Sequence, residues 1–315
     1  MSVWRRCLLL GVWIVSAGWA VVMLPAALTG AEKSQAGRIA SITEDEDGGR
    51  LLFPFFIFAD SERNEIYILD SRGRIIVYTW DLFPFLTLDR RYGIESPLSI
   101  AIDGDGYLYI PQAPSNGDSR PRITVFDPGL RRYRNIFFDG IPQLATFAPQ
   151  VVAVARNGDL YVAGPQVDGV AVLDKNGRFL RIMHAQEEED PVPVTSVSID
   201  DNGTIYLVSE EAGRIYVFNK DGTLRHSFGD KGGITGKLSR PQAAAANPLT
   251  GFLYVVDYMR HSVSTYDAKG RFQSEFGGMG WGEGWFQFPR HIAADRAGRL
   301  FIADTFNHRV EVYRP

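Results

Sequence analysis

Apolar and polar positions alternate along most of this chain in short runs, and the runs recur. "RLFIADTFNHRVEVY" (299–313) places an apolar stretch on either side of a polar turn. The same frame stands in "FLYVVDYMRHSVSTY" (252–266), "TIYLVSEEAGRIYVF" (204–218), "DLYVAGPQVDGVAVL" (159–173) and "EIYILDSRGRIIVY" (65–78). A looser copy, "YLYIPQAPSNGDSRPRITVF" (107–126), carries an insertion. The aligned aromatics are Tyr67, Tyr107, Tyr161, Tyr206, Tyr254 and Phe301, spaced 40 to 54 residues apart. Such short stretches predict strands, and a strand-built repeat of this length predicts a β-propeller rather than a helical solenoid.

Each unit parses into four strands. The innermost is a run of small or branched residues ("SIAID", "VVAVA", "SVSID", "AAAAN", "HIAAD"), as crowding near a central axis requires. A Gly turn follows ("GDG", "RNG", "DNG", "RAG"), then the aromatic strand, a polar loop, a third strand and a second Gly turn ("KNG", "KDG", "AKG"). An outer strand then leads through a Gly-rich connector to Pro54, Pro97, Pro149, Pro193, Pro241 or Pro289, expected at the first residue of the next inner strand.

The sixth unit has only three strands. Aligning "GRIASITEDEDGGRLLFPFFIFAD" (37–60) with "GRFQSEFGGMGWGEGWFQFPRHIAAD" (270–295) puts Gly37-Arg38-Ile39 in the place of an outer strand. Residues 37–43 are therefore expected to pair with Val310–Tyr313 and close the ring, removing a free edge. The predicted fold is all-β: a six-bladed β-propeller of four-stranded blades over residues 37–315.

The start of the chain reads differently. "MSVWRR" precedes "CLLLGVWIVSAGWAVVML", eighteen residues without a charge, followed by Pro25 and small residues up to Ala31. A basic start, an apolar centre and Thr29-Gly30-Ala31 describe a signal peptide over 1–31, while the apolar length also suits a retained anchor helix over residues 7–28. Residues 32–36 form a short linker. Both readings place the folded part outside the cytoplasm, in the periplasm or extracellular space or tethered to the inner membrane. The sole cysteine, Cys7, lies in that segment, so the exported part has no disulfide and no thiol nucleophile. The formal charge of −4 becomes −6 once Arg5 and Arg6 are set aside, which argues against a general nucleic-acid binder.

"DTFNHRV" (304–310), with "GGMGWGEGWFQFP" and "RAGRLFIAD" around it, resembles the NHL repeat. The resemblance is fullest in units five and six and covers about residues 37–315. It implies a six-bladed propeller, and it includes RNA-binding tripartite-motif proteins, extracellular domains of bacterial receptor kinases and a peptidyl-hydroxyglycine lyase. In the lyase branch the resemblance implies zinc-binding His directly after the proline. Here that slot holds Phe55, Leu98, Gln150, Val194, Gln242 and Arg290, and His291 falls one place later, so no metal and no cofactor are expected.

The remaining candidates read as structure. His308 and His261 share one slot and are expected to pack the loop between strands two and three. Asp304 with Arg309, and Asp70 with Arg74, should pair across that loop, partly exposed and worth about 0–1 kcal/mol each. Asp103 and Asp105 in "IDGDGYLY" suit a Gly-supported turn better than a calcium loop. "QEEED" (186–190) reads as a solvated loop, and "RRYR" (131–134) as the outer face of a strand. No nucleophile elbow or phosphate-binding loop stands out.

Turns joining strands one to two and three to four are minimal, whereas the loops between strands two and three and between blades vary, and they open on the opposite face. That face carries "PQAPSNGDSRPR" (111–122), "QEEED" and "GGMGWGEGWFQFPRH" (277–291). Trp281, Trp285, Arg290 and His291 are the candidate contacts to a protein or peptide partner, aromatics and Arg being the residues interfaces favour, while Phe288 is expected in the core. The expected function is non-catalytic binding or scaffolding by this face. The alternative is a propeller enzyme, a lactonase-like hydrolase or lyase, with a metal near the axis.

Overall fold

The computed structural model describes residues 37–115, 119–185 and 192–315. The segment read as signal peptide or anchor, the linker, the acidic run 186–190 and residues 116–118 of the insertion lie outside the described residues.

Among the described residues, six antiparallel four-stranded sheets form the blades. Blade 1 comprises Phe56–Asp60, Glu65–Asp70, Arg74–Thr79 and Pro84–Leu88; blade 2 comprises Ala101–Ile102, Leu108–Gln112, Arg122–Phe126 and Arg132–Ile136. Blade 3 is Val151–Val154, Leu160–Ala163, Val170–Leu173 and Phe179–Met183; blade 4 is Ser196–Ile199, Ile205–Ser209, Arg214–Phe218 and Leu224–Phe228. Blade 5 is Pro241–Ala246, Leu253–Asp257, Ser262–Tyr266 and Phe272–Gly277. Blade 6 takes His291–Ala294, Leu300–Asp304 and Arg309–Arg314 from one end of the chain and Gly37–Ile42 from the other.

The closure forms as the repeat requires, with Arg38 opposite Tyr313 and Ile42 opposite Val310. Its register differs by one residue from the Gly-Arg alignment. Arg38 stands opposite Tyr313 where Phe272 stands opposite Tyr266, so Ile39 is not the counterpart of Phe272. Gly270-Arg271 belongs to a turn between two strands of blade 5, and the strand arriving from the N-terminal side needs no such turn.

Every outer pairing contains a one-residue irregularity: Ile39, Phe85, Tyr133, Leu180, Arg225 and Gln273 each bulge out of the ladder. Bulges at sheet edges twist the edge away from further pairing. They also explain why Ile39, Phe85, Tyr133 and Leu180 are exposed. "RRYR" lies here, with Arg134 donating to the Lys175 and Asn176 carbonyls of the next blade.

The core is divided among the blade interfaces. One buried cluster joins blades 6 and 1 through Ile57, Ile66, Ile68, Phe301, Val310 and Val312, and five others join the remaining neighbours around the ring. Second and third strands are covered on both faces, so Leu253–Asp257 and Leu300–Asp304 are buried at every position. This is why their sequences run nearly continuously apolar.

Three further expectations need correction. The aromatic of blade 2 equivalent to Tyr161 and Tyr206 is Tyr109, which faces Ala101 and donates to Asp103; Tyr107 instead stacks on the exposed Tyr133. Tyr206 donates to Asp200 in the same way, which fixes the equivalence. Pro241 does begin its strand, but the other five prolines lie just ahead of theirs. The buried aromatic of the last connector is Phe286; Phe288 is half-buried with a left-handed φ of 49°.

Asp103 forms the turn expected of it. Its Oδ1 accepts from the Asp105 and Tyr107 amides at 3.0 and 2.9 Å, and Gly106 supplies a φ of 90°. Among the described residues, no group of three or more His, Cys, Asp or Glu side chains could hold a metal ion, and no helix is long and apolar enough to cross a membrane.

Candidate binding face

One face of the ring is built from the loops between strands two and three and the connectors between blades, held together by backbone bonds. Phe306 N–H donates to the Gln287 carbonyl at 3.1 Å, Tyr258 N–H to that of Arg240 at 3.0 Å, and Ser71 N–H to that of Leu52 at 2.9 Å. The acid ending the second strand reinforces each junction. Asp304 accepts from Gln287 N–H at 2.6 Å, Asp257 from Ser239 N–H at 2.6 Å, and Asp70 from Leu52 N–H at 3.2 Å.

Asp304 and Asp70 are fully buried, while Arg309 and Arg74 keep partial exposure. Arg309 reaches Asp304 at 2.8 Å, and Arg74 reaches Asp70 at 3.0 Å and Asp45 at 2.6 Å. The pairs are thus partly exposed on the arginine side, as expected, but the loop encloses the carboxylates more fully than the sequence suggests. Burial raises the Asp304 pKa, opposed by Gln287 N–H, Asn307 and Arg309. Losing either partner would leave a buried charge uncompensated.

His308 and His261 do pack this loop, and they also latch one blade to the next. Nδ1 of His308 accepts from Phe53 N–H at 3.1 Å, and Nδ1 of His261 from Phe288 N–H at 3.0 Å. Each imidazole lies against the phenylalanine it holds, with centroids 4.2 and 4.4 Å apart. Both histidines have left-handed backbone, at φ 57° and 55°, where blades 1 and 4 place Gly73 and Gly213. Burial lowers the pKa of both, which keeps the accepting nitrogen unprotonated.

The four candidate contact residues separate into different environments. Trp281 is 76% exposed and Trp285 51% exposed. Trp285 covers Gly278 and Gly280, whose added Cβ atoms would meet it at 2.6 and 2.9 Å, and Arg309 donates to its carbonyl. Arg290 is exposed, with its guanidinium 5.6 Å from the Tyr258 ring centroid. His291 is half-buried: it begins the inner strand of blade 6, accepts from Ile57 N–H at 3.3 Å and lies against the Phe56 ring with centroids 4.0 Å apart. Burial pushes its pKa down to about 3. Its role is to join blade 6 to blade 1.

Several residues of this face are not evident as a group in sequence. Tyr258, Phe288, Phe306 and Phe53 form a track, with successive centroids 4.8, 5.1 and 5.3 Å apart. Phe306 is exposed within it, and Met259 and Met279 are exposed in the loop and connector of the same face. A usable signal did exist: Phe53 and Phe288 each stand before a connector proline, and Met259 and Phe306 share the slot two residues before the histidine. On the opposite face the exposed Leu249 and Phe83 sit in turns of different blades.

No known protein-family profile matches this chain. The Brain tumor protein of Drosophila melanogaster is 26% identical over 120 residues, spanning 38% of this chain and 11% of that protein's length. An auxiliary nutrient-binding protein of Bacteroides ovatus has a similar fold, with a TM-score of 0.65 and 16% identity over 89% of this chain and 77% of that one. A Bacteroides thetaiotaomicron protein of unknown function gives 0.64 and 12% identity over 88% and 75%. The β-propeller domain of Cps50 (Swd1) from Myceliophthora thermophila gives 0.62 and 11% over 89% and 99%. At these identities the likeness supports the β-propeller fold alone.

Proposed function

We propose that this protein is a non-catalytic binding or scaffold protein that works outside the cytoplasm and holds a protein or peptide partner on its loop-rich face. The observation that carries this reading is the gathering of Met259, Met279, Trp281, Trp285 and Phe306 on that face. Four of the other exposed apolar side chains occupy the bulge of an outer strand, one per blade, where edge protection accounts for them. Exposed apolar groups collected on one face mark an interaction surface. The fold shared with nutrient-binding proteins is compatible with a binding role.

The test is partner capture with the full-length protein. Trp281→Ala combined with Arg290→Ala should leave the melting temperature unchanged and weaken the captured complex. Turn variants at Asn157-Gly158 and Asn202-Gly203 should leave the complex intact. The reverse pattern would place the interface on the other face. For the address, an intact mass beginning near Glu32 supports release, a retained Met1 in the membrane fraction supports the anchor, and soluble cytoplasmic protein retaining Met1 refutes both.

A further inference from the structure

Most arginines at the heart of the loop-rich face are neutralised. Arg74 has Asp70 and Asp45, Arg260 has Glu275 at 2.6 Å, Arg309 has Asp304 and Glu311, and Arg240 has Glu210 at 3.4 Å. Arg290 departs from this pattern. It is exposed beside Tyr258, and the described residues bring no carboxylate into an ion pair with it. At the far end of the track, the charge of Arg50 acts on His308, and Arg50 likewise has no carboxylate pair among the described residues.

Two cations without a carboxylate pair among the described residues, bracketing four linked aromatic rings, do not follow from the bulk charge, which is −4. An arginine resting on an aromatic ring uses the face of its guanidinium and leaves its N–H edge for a planar bidentate acceptor. The ring edges of Phe288 and Phe306 beside it offer apolar contact. This pairing suits a ligand that presents a large apolar side chain and a carboxylate a short distance apart.

Resting on the loop-rich face as the binding face, we propose that the track takes an extended acidic peptide segment of a partner protein, with Asp or Glu meeting Arg290 and a neighbouring apolar side chain seated on Phe288 and Phe306. Single-stranded RNA shares the combination of anion and stacking. It needs a run of cations along its backbone, however, whereas this track carries a cation at each end and aromatic rings between them.

The experiment is selection of random twelve-residue peptides displayed on phage against the full-length protein, followed by affinity measurement with the selected peptide in labelled form. The expected result is enrichment of Asp or Glu next to Trp, Phe or Leu. Replacing the acid by its amide, or introducing Arg290→Glu or Phe306→Ser, should weaken binding about tenfold or more, with melting unchanged. A Lys-for-Glu peptide should recover affinity on the Arg290→Glu protein, which a fold defect would not produce. Enriched peptides without acid preference, or indifferent to both substitutions but displaced by Trp281→Ala, overturn the acidic-peptide inference and leave the loop-face reading standing. Enrichment lost only with the turn variants, or no enrichment at all, overturns both. Arg290-dependent binding of oligouridine tighter than that of the selected peptide overturns the choice of peptide.

Discussion

Replacing Arg38 by Ala removes the guanidinium that the N-terminal strand sends across the closure. Its Nε lies 2.5 Å from Oε2 of Glu311, whose side chain has no solvent exposure, while Arg38 itself is 26% exposed. Without Arg38, Glu311 keeps Arg309 at 2.9 Å, but that guanidinium also serves the buried Asp304 at 2.8 Å. Two buried carboxylates would then share one cation. Breaking a buried pair from one side costs about 3–5 kcal/mol, and the remaining Arg309 with the partial exposure of Arg38 brings the expected loss to about 2–3 kcal/mol. An unfolding entropy of roughly 2.1 cal/mol/K per residue converts this to about 3–5 °C for a domain of this size. Differential scanning calorimetry of the full chain, with urea unfolding beside it, measures both quantities. Arg91→Ala is the control, because its pair with Asp89 is 75% and 31% exposed and solvent screens it. Adding Glu311→Gln to Arg38→Ala should recover part of the loss by removing the stranded charge. If Arg38→Ala melts with the control, or the double variant is simply additive, the buried-pair account of the closure is refuted.

Other substitutions probe the latches. His308→Ala strands the Phe53 amide and leaves a Cβ at φ 57°, so it should cost about 2–3 kcal/mol, whereas His308→Gly should cost less because it relieves the backbone; equal losses in urea unfolding would refute the geometry. His291 has its pKa lowered to about 3 from an ordinary 6.5, so the unfolded chain takes up a proton that the folded protein refuses. Its contribution is whole above about pH 6.5 and declines as pH falls toward 3, by roughly 2–4 kcal/mol allowing for its residual exposure. His291→Gln should flatten the stability curve over that window, and an unchanged slope would refute the assignment.

Much of the architecture was legible because strand burial writes itself into local sequence. Paired apolar runs, Gly turns and connector prolines gave six units and the strand exchange between termini. Registers were less legible. "YLY" offers two tyrosines to one slot, and only the pairing of Tyr109 with Ala101 selects between them. Likewise Gly37-Arg38 matches Gly270-Arg271 letter for letter, yet Arg38 occupies the position of Phe272. Local similarity does not distinguish a turn from a strand when the partner strand comes from the other end of the chain.

The sequence by itself determined the blade count, the strand order and which loops share a face, because short apolar runs broken by Gly turns and a repeat near fifty residues leave few other ways to bury these strands. Only the tertiary structure decided what the candidate residues do. It placed His291 and His308 at the seam with blade 1, bonded to amides 234 and 255 residues away in sequence. It set Arg290 over Tyr258 and linked Phe288, Phe306 and Phe53 into one track. The physical reason is that these contacts are tertiary, those of His291, His308 and Phe53 made where the ring closes and the others between neighbouring loops, and a hydrogen bond or ring contact between loops leaves no period in the sequence.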